Sequence, residues 1–117
     1  ELIKYKGFQV APAELEAKLN SHQAVADAAV IPAQDPSNAT EIPKAFVVLQ
    51  PKYAPSDNLK LEIIQFLNKQ VAPHKKLRGG IEFVSTIPKS PSGKIQRKIL
   101  KELQRAREKE MRTSAKL

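Results

Sequence analysis

The sequence contains no cysteine, and aromatic residues make up only 5% of its 117 residues. Without cysteine there is neither a disulfide framework nor a thiolate metal site, and two isolated histidines, His22 and His74, cannot complete a metal site alone. We therefore expect no metal site in this sequence. The scarcity of aromatic residues also argues against a nucleic-acid-binding module, because such modules stack bases on exposed rings.

Long apolar runs are absent as well, since no stretch approaches the roughly 20 residues that are needed to cross a bilayer. The sequence therefore predicts no membrane span. Hydrophobic residues make up 41% and charged residues 27% of the chain, which is typical of a folded domain and too apolar for a disordered one. A chain of 117 residues has room for one domain with a modest core, and not for a second, nucleotide-binding domain.

Positive charge is in excess, with 20 lysines and arginines against 12 aspartates and glutamates and a net charge of +8. Such a surplus suggests an anionic partner, such as nucleic acid, acidic lipid or a phosphorylated small molecule. The alternative is that much of it forms the solvated face of the last predicted helix. That face would contain Arg97, Lys98, Lys101, Arg105, Arg107, Lys109 and Arg112.

Hydrophobic periodicity and turn residues predict an α+β fold. Polar and apolar residues alternate around a glycine in residues 4–10, as in a bent strand or hairpin. Three helices are predicted: one over residues 12–20, one that begins at a cap at Ser56 or Asp57 and ends at Pro73, and one from about residue 96 onward. Three strands are predicted, over residues 25–32, 44–50 and 81–84. We expect a small sheet of about three main strands, the first two antiparallel, plus a short N-terminal hairpin, packed with three helices in two layers.

The segment from Pro88 to Lys94, PKSPSGK, is rich in turn-forming residues and predicts a mobile loop. A lysine beside a glycine suggests a phosphate-binding role. The segment is not a Walker A loop, because Pro88 stands where that motif has its first glycine and Ile95 follows the lysine in place of serine or threonine. Without further information, a surface loop is the simpler interpretation.

The same loop closely resembles the last core motif of the adenylate-forming superfamily, which includes acyl-CoA synthetases, 4-coumarate-CoA ligases, beetle luciferases and peptide-synthetase adenylation domains. The resemblance covers nearly the entire chain, and its pieces occur in the family's order. The matching segments are KYKGFQVAPAELE (4–16), VADAAVIP (25–32), PKAFVV (43–48), VAPHKKLRGGIEFV (71–84) and IPKSPSGKIQRKIL (87–100).

In that superfamily the C-terminal domain is a small α+β lid, which a hinge residue joins to a large N-terminal adenylation domain. The resemblance implies that residues 1–110 are such a lid and that residues 111–117 form a flexible tail. The sequence opens in mid-element without a methionine, so we expect a fragment that begins just after the hinge. The N-terminal domain would then be the partner of this chain, and the isolated lid would be inactive.

The resemblance implies that the chain is the catalytic lid of an ATP-dependent carboxylate-CoA ligase, which forms acyl-AMP and then a thioester with CoA. ATP and CoA would be co-substrates, and Mg²⁺ would be bound through the missing N-terminal domain. A luciferase-like monooxygenase, which shares the adenylation step, is the alternative within the superfamily. A basic nucleic-acid-binding module is the alternative from another class.

Lys94 matches the family lysine that contacts the carboxylate and the α-phosphate while acyl-AMP and pyrophosphate form. Negative charge gathers where a carboxylate attacks a phosphate, and a positioned ammonium stabilises that transition state. The long lysine side chain can carry its charge in from a separate domain.

The N-terminal hairpin matches the segment that turns toward the active site when the CoA sulfur attacks the acyl-adenylate. The resemblance implies that Lys4 and Gln9 touch the adenylate. It implies also that Lys6, Gly7 and Phe8 line the pantetheine path. A missing Cβ at Gly7 lets the backbone approach a narrow ligand arm. The alternative for Phe8, and for its neighbour Tyr5, is a role as simple core residues.

Two further segments leave alternatives open. The neighbouring Lys75 and Lys76 suit either contact with CoA phosphates or simple solvation. The C-terminal residues Ala115, Lys116 and Leu117 resemble the peroxisomal targeting tripeptide, with alanine in place of its serine. We expect them to be read by the peroxisomal import receptor, and the full-length protein to act in peroxisomal fatty acid metabolism; without that signal it would be cytosolic.

Overall fold

The computed structural model describes residues 1–115. Five strands and three α-helices follow one another in this part of the chain. They are β1 (Ile3–Tyr5), β2 (Phe8–Val10), α1 (Pro12–Asn20), β3 (Val25–Gln34), β4 (Glu41–Leu49), α2 (Asp57–Asn68), β5 (Ile81–Phe83) and α3 (Arg97–Ala115), with a 3-10 turn at Pro73–Lys75 between α2 and β5. The predicted order of elements is confirmed.

The main sheet has the strand order β3-β4-β5. β3 and β4 pair antiparallel, as predicted, in a register that joins Gln34 to Glu41 and contains a bulge between Val25 and Asp27. β5 pairs parallel with β4, because α2 carries the chain back across the sheet between them. β1 and β2 form a separate antiparallel hairpin.

The core lies on both faces of the main sheet. On one face, Val30 and Val47 pack with residues of α1, α2 and the hairpin, among them Leu15 and Ile63. On the other face, Ala29, Ile31 and Phe46 pack with Leu100 of α3 and with Ile87. The α+β class with three helices is confirmed, but the predicted two layers become three, because consecutive residues of β3 are apolar and both faces need a cover.

The helix boundaries follow capping chemistry. α1 begins at Pro12, whose ring suits the first helical position. At α2 the Ser56 side chain accepts a hydrogen bond from the Leu59 amide at 3.0 Å, which is a regular N-cap. α2 ends at Asn68 rather than continuing to Pro73, which belongs to the 3-10 turn. The Asn68 side chain instead accepts a hydrogen bond from the Leu77 amide at 2.9 Å.

α3 runs through Ala115, beyond the predicted domain end at residue 110, and that division stays a prediction. Of the predicted targeting tripeptide, Lys116 and Leu117 lie outside the described residues. None of the helices within residues 1–115 has the length and apolar character of a membrane span.

Lys98, Arg105, Lys109 and Arg112 of α3 are exposed to solvent, whereas three other basic residues of this helix pair with glutamates. Arg97 binds Glu16, Lys101 binds Glu1, and Arg107 binds Glu82, at nitrogen–oxygen distances of 2.7, 2.9 and 2.9 Å. Part of the positive charge is therefore neutralised within the domain. The alternative of a solvated face does not extend to Arg97, whose partner Glu16 is only 7% exposed.

Candidate functional site

The loop that carries Lys94 is closed by its own hydrogen bonds. The Ser90 amide donates to the Lys94 carbonyl at 2.8 Å, and the Gly93 amide donates to the Ser90 carbonyl at 2.9 Å. Gly93 has φ = 89°, a left-handed conformation that favours glycine. The backbone of Lys94 is thereby held in place, while its side chain is exposed to solvent.

The base of this loop is anchored on its upstream side to the start of β3. The Gln96 amide donates to the Pro88 carbonyl at 2.9 Å, and Lys89 and Ile95 form an antiparallel bridge. The Lys89 ammonium lies 2.7 Å from a carboxylate oxygen of Asp27 in β3. These contacts place Lys94 beside the N-terminal end of β3.

On its downstream side the loop runs into α3 at Arg97, which contacts two other elements. The Arg97 Nη2 donates to both carboxylate oxygens of Glu16 in α1, at 2.7 and 2.8 Å, and its Nε donates to the Val30 carbonyl in β3 at 3.1 Å. The Val30 amide donates in turn to Glu16 at 2.8 Å. Since β3 is an edge strand, this pair satisfies its outward-facing backbone groups at Val30.

The hairpin of β1 and β2 turns at two residues with positive φ, Lys6 at 46° and Gly7 at 87°. Positive φ at both central residues is the requirement of a type I′ turn, which matches the twist of a two-residue hairpin. Lys4 and Gln9 are directly opposite each other in the ladder and are exposed, so they lie on one face and can contact the same ligand. The neighbouring pair, Ile3 and Val10, faces the core.

The β3–β4 turn holds this hairpin from the side. The Lys4 amide donates to Oε1 of Glu41 at 2.8 Å, and the Lys6 amide donates to Oγ1 of Thr40 at 2.8 Å. The Thr40 hydroxyl donates in turn to the Lys4 carbonyl at 3.1 Å. An open groove lies between the hairpin and the turn, with Lys4, Lys6 and Gly7 on one wall.

Acidic groups lie opposite the lysines of this groove. Glu41 lines the groove, and Asp35 at the start of the turn lies outside the lining but close enough for the charge of Lys6 to act on it. The pKa of Asp35 lies below its ordinary value, chiefly because the Asn38 side chain donates a hydrogen bond to its carboxylate, with help from the Ser37 amide. The groove is therefore lined by fixed charges of both signs rather than being uniformly basic.

Phe8 and Tyr5 differ in their surroundings. Tyr5 is buried, and the guanidinium of Arg78 lies 4.6 Å from the centre of its ring. Phe8 is 52% exposed and stacks on the imidazole of His74, with a centroid distance of 4.2 Å and an interplanar angle of 16°. The core alternative thus holds for Tyr5 and not for Phe8, which presents an open aromatic face. Lys75, next to His74, pairs with Glu14 at 3.0 Å.

The candidate residues form two groups at opposite ends of β3. The Lys94 loop is attached near Asp27, and the hairpin is attached to the turn that follows Gln34. At about 3.3 Å per residue, these attachment points are roughly 20 Å apart along the strand. The structure brings Lys4, Lys6, Gly7, Phe8 and Gln9 together on the hairpin, whereas the loop that carries Lys94 is attached elsewhere, near Asp27.

Four residues that support the site were not recognised as site residues in the sequence. Asp27 and Lys89 anchor one side of the loop, and Glu16 and Arg97 the other. A signal for Glu16 was present, because it lies on the same helical stripe as Pro12, Leu15 and Leu19, all of which are buried. A carboxylate at such a position requires a buried partner.

Known proteins share this architecture and these segments. The family described as AMP-binding enzyme C-terminal domain matches residues 14–94. The chain is 55% identical over 100 residues to 4-coumarate–CoA ligase-like 5 of Oryza sativa subsp. japonica, covering 86% of this chain and 18% of that protein. It is 54% identical over 101 residues to 4-coumarate–CoA ligase 1 of Glycine max, covering 86% of this chain and 33% of the relative.

Solved structures agree with the sequence comparison. An acyl-CoA synthetase of Brucella canis superposes with a TM-score of 0.83 at 38% identity, over 92% of this chain and 20% of that one. An anthranilate CoA ligase in complex with anthranoyl-AMP superposes with a TM-score of 0.80 at 39% identity, over 88% of this chain and 20% of that one. The chain thus spans between 18% and 33% of the length of these relatives, and it belongs to the AMP-binding enzyme C-terminal domain family.

Proposed function

We propose that this chain is the C-terminal lid of an ATP-dependent carboxylate–CoA ligase. The observation that carries the proposal is the exposed Lys94, held on an anchored loop at the last residue of the family match. The similar proteins named as CoA ligases and acyl-CoA synthetases support a ligase over a luciferase-like enzyme. The internal pairing of Arg97, Lys101 and Arg107 weakens the case for a nucleic-acid partner.

In the first half-reaction, a carboxylate oxygen attacks the α-phosphorus of ATP, acyl-AMP forms and pyrophosphate leaves. Charge builds up on the phosphate oxygens during this step. The Lys94 ammonium would lie against those oxygens and stabilise the transition state, and its fixed backbone limits the cost of placing the charge.

In the second half-reaction, the CoA sulfur attacks the acyl carbon and AMP leaves. The paired side chains of Lys4 and Gln9 would contact the adenylate, while Lys6, Gly7 and Phe8 would line the pantetheine path. The left-handed turn at Gly7 has no other atom within 4 Å of where a Cβ would stand, so a ligand can approach the backbone there.

The two half-reactions need different ends of the domain. The Lys94 loop and the hairpin are attached roughly 20 Å apart along β3, which supports the proposal that the lid presents them to the active site in different orientations. The lid would then reorient between the two steps.

ATP and CoA would be the co-substrates, and the N-terminal domain of the full-length enzyme would supply the acyl pocket. Among residues 1–115 no group of three His, Asp or Glu side chains is positioned to hold a metal ion, so the ligands of Mg²⁺ would come from that other domain. We propose further that Ala115, Lys116 and Leu117 direct the enzyme to peroxisomes, where a fatty acid or another carboxylate would be its substrate.

The full-length protein tests the proposal directly. Incubated with ATP, Mg²⁺, CoA and a panel of hydroxycinnamates, benzoates and fatty acids, it should form AMP and a CoA thioester from at least one acid. Light emission with oxygen in place of thioester formation would favour the luciferase-like alternative. Absence of carboxylate-dependent exchange between pyrophosphate and ATP across the panel would contradict the proposal.

A further inference from the structure

Arg97 stands at the point where the Lys94 loop becomes helix α3. It lies three residues after Lys94 and is fixed on two sides, by the Glu16 carboxylate and by the Val30 carbonyl. One side chain therefore joins α1, β3 and α3 at the base of the loop. Any shift of Arg97 would be passed to Lys94 through a short, hydrogen-bonded segment.

The geometry of this pair is that of a rigid anchor. The two side chains are only 24% and 10% exposed, and the guanidinium donates from two nitrogens to two elements, from Nη2 to the Glu16 carboxylate and from Nε to the Val30 carbonyl. Charge-assisted hydrogen bonds from two atoms of a planar guanidinium fix its direction as well as its distance. Glu16 also accepts the Val30 amide, so the carboxylate itself cannot swing away without leaving a buried amide unpaired.

We infer that Glu16 and Arg97 are positioning residues for the acyl-AMP-forming step, setting the place of Lys94 in the closed site. The inference rests on the proposed function. Neither side chain needs to touch a substrate, since Glu16 is enclosed by the domain and the Nε and Nη2 atoms of Arg97 donate to Glu16 and Val30 within it. Both act through the backbone that leads to Lys94.

Misplacement of a reacting group by about 1 Å can cost roughly a hundredfold in rate. Loosening this anchor should therefore slow adenylation strongly. The hairpin is attached at the other end of β3, through Thr40 and Glu41, so thioester formation should be affected much less. A purely structural role would instead lower both half-reactions together.

The same helix provides a matched control pair. Glu82 and Arg107 are also a glutamate and an arginine joined at 2.9 Å, but they are 22% and 47% exposed and lie away from the loop. Arg107→Lys repeats the chemical change of Arg97→Lys on α3 without touching the base of the Lys94 loop. Because both variants make the same change and keep the positive charge, a difference between their activities reflects the location of Arg97 at the base of the Lys94 loop.

The experiment compares Arg97→Lys with Arg107→Lys in the full-length protein. For Arg97→Lys, kcat of pyrophosphate exchange should fall by roughly ten- to a hundredfold while KM for ATP changes by less than about threefold. Thioester formation from synthetic acyl-AMP should stay within about threefold of wild type, and Arg107→Lys should match wild type in both assays. Equal losses in both half-reactions, or an Arg97→Lys variant as active as the control, would overturn the inference.

A second readout does not depend on activity. The Gln96 amide closes the base of the loop on the Pro88 carbonyl, so its hydrogen exchange should be faster in Arg97→Lys by roughly tenfold and unchanged in Arg107→Lys. If Arg97→Lys fails to fold, Glu16→Gln replaces it with the same expectations, because the amide keeps the shape and an acceptor for Val30. Unchanged exchange at Gln96 would overturn the inference. A wild-type protein without pyrophosphate exchange would instead refute the proposed function.

Discussion

The Lys44 ammonium of β4 donates a hydrogen bond to Oε1 of Gln104 in α3 at 2.8 Å. The lysine stem lies between the sheet and the helix, with its nitrogen 5.4 Å from the centre of the Phe46 ring. Burial lowers the pKa of Lys44 from its ordinary value, because desolvation disfavours the charged form more than Glu82 and Glu108 stabilise it. This hydrogen bond helps to hold α3 against the sheet, but it requires the Lys44 ammonium to be partly buried, which is unfavourable.

Replacing Lys44 by methionine should make the domain as stable as the wild type or more so at pH 7, by up to about 1 kcal/mol. Because the pKa of Lys44 is lower in the folded state than in the unfolded state, its buried charge destabilises the fold fully at any pH below the folded-state pKa. This destabilisation decreases as the pH rises from the folded-state pKa toward 10.5, the unfolded value, because the unfolded state then binds more protons than the folded state. The advantage of Lys44→Met over wild type in urea unfolding should therefore shrink between pH 7 and pH 10. An advantage that grows with pH would contradict this.

Two arginines of α3 pair with glutamates of other elements, and these two pairs should differ in their contribution to stability. Glu16→Ala leaves Arg97 partly buried without its carboxylate and should lower the free energy of unfolding by about 3 kcal/mol. Glu82→Ala, in the more exposed pair with Arg107, should cost less than about 1 kcal/mol. Chemical denaturation of both variants measures the difference. Equal costs would mean that Glu16 is not the anchor described above.

The stability cost of alanine relative to asparagine should differ in sign between two glycines, Gly7 and Gly79. Gly7 has a positive φ and open space around it, so Gly7→Asn should be less costly than Gly7→Ala, which should cost about 1 kcal/mol. At Gly79 a Cβ would meet the Pro43 carbonyl oxygen at 2.7 Å, so Gly79→Asn should be more costly than Gly79→Ala. Thermal unfolding of the four variants tests whether the ranking of asparagine and alanine reverses between the two positions. The same ranking at both positions would refute it.

Local pattern was sufficient to predict most of the elements. Leu15 and Leu19, one helical turn apart, are both buried, and Ser56 caps α2 as its position suggested. The exposed Lys94 and the bent hairpin at Gly7 also followed from nearby turn residues. These features depend on a few neighbouring residues, and such signals are contained in any short stretch of sequence.

Long-range pairing was not predictable in the same way. Glu16 and Arg97 are far apart in the sequence, and periodicity carries no information about which charge meets which. The presence of helices on both faces of the sheet was missed for a related reason. The continuous apolar run of β3, including Ala28 and Ile31, indicates a strand that is buried on both faces, but it does not specify which elements cover each face.

The proposed peroxisomal address can be tested by masking the C-terminus. A receptor that reads a C-terminal tripeptide needs the free carboxylate and the side chain of Leu117. A tag fused after Leu117 should therefore move the full-length protein from peroxisomes to the cytosol, while the same tag at the N-terminus should not. Peroxisomal import that persists with the C-terminal tag would contradict the proposal.

We propose that the Lys94 loop serves the first half-reaction and the hairpin the second. The most direct test of this proposal is the effect of Lys94→Ala on each half-reaction of the full-length enzyme. Pyrophosphate exchange should fall by about a hundredfold or more, the usual scale for losing one preorganised electrostatic contact. Single-turnover thioester formation from synthetic acyl-AMP should be far less affected. Lys98→Ala, which removes another exposed lysine four residues further along the chain, serves as the control and should leave both rates unchanged.

Gly7→Leu completes the measurement from the other end of β3. Its side chain would stand in the proposed pantetheine path, so thioester formation should slow while pyrophosphate exchange is largely retained. The account predicts this reciprocal pattern, with Lys94→Ala defective in the first step and Gly7→Leu in the second. Equal failure of both variants in both assays would contradict it.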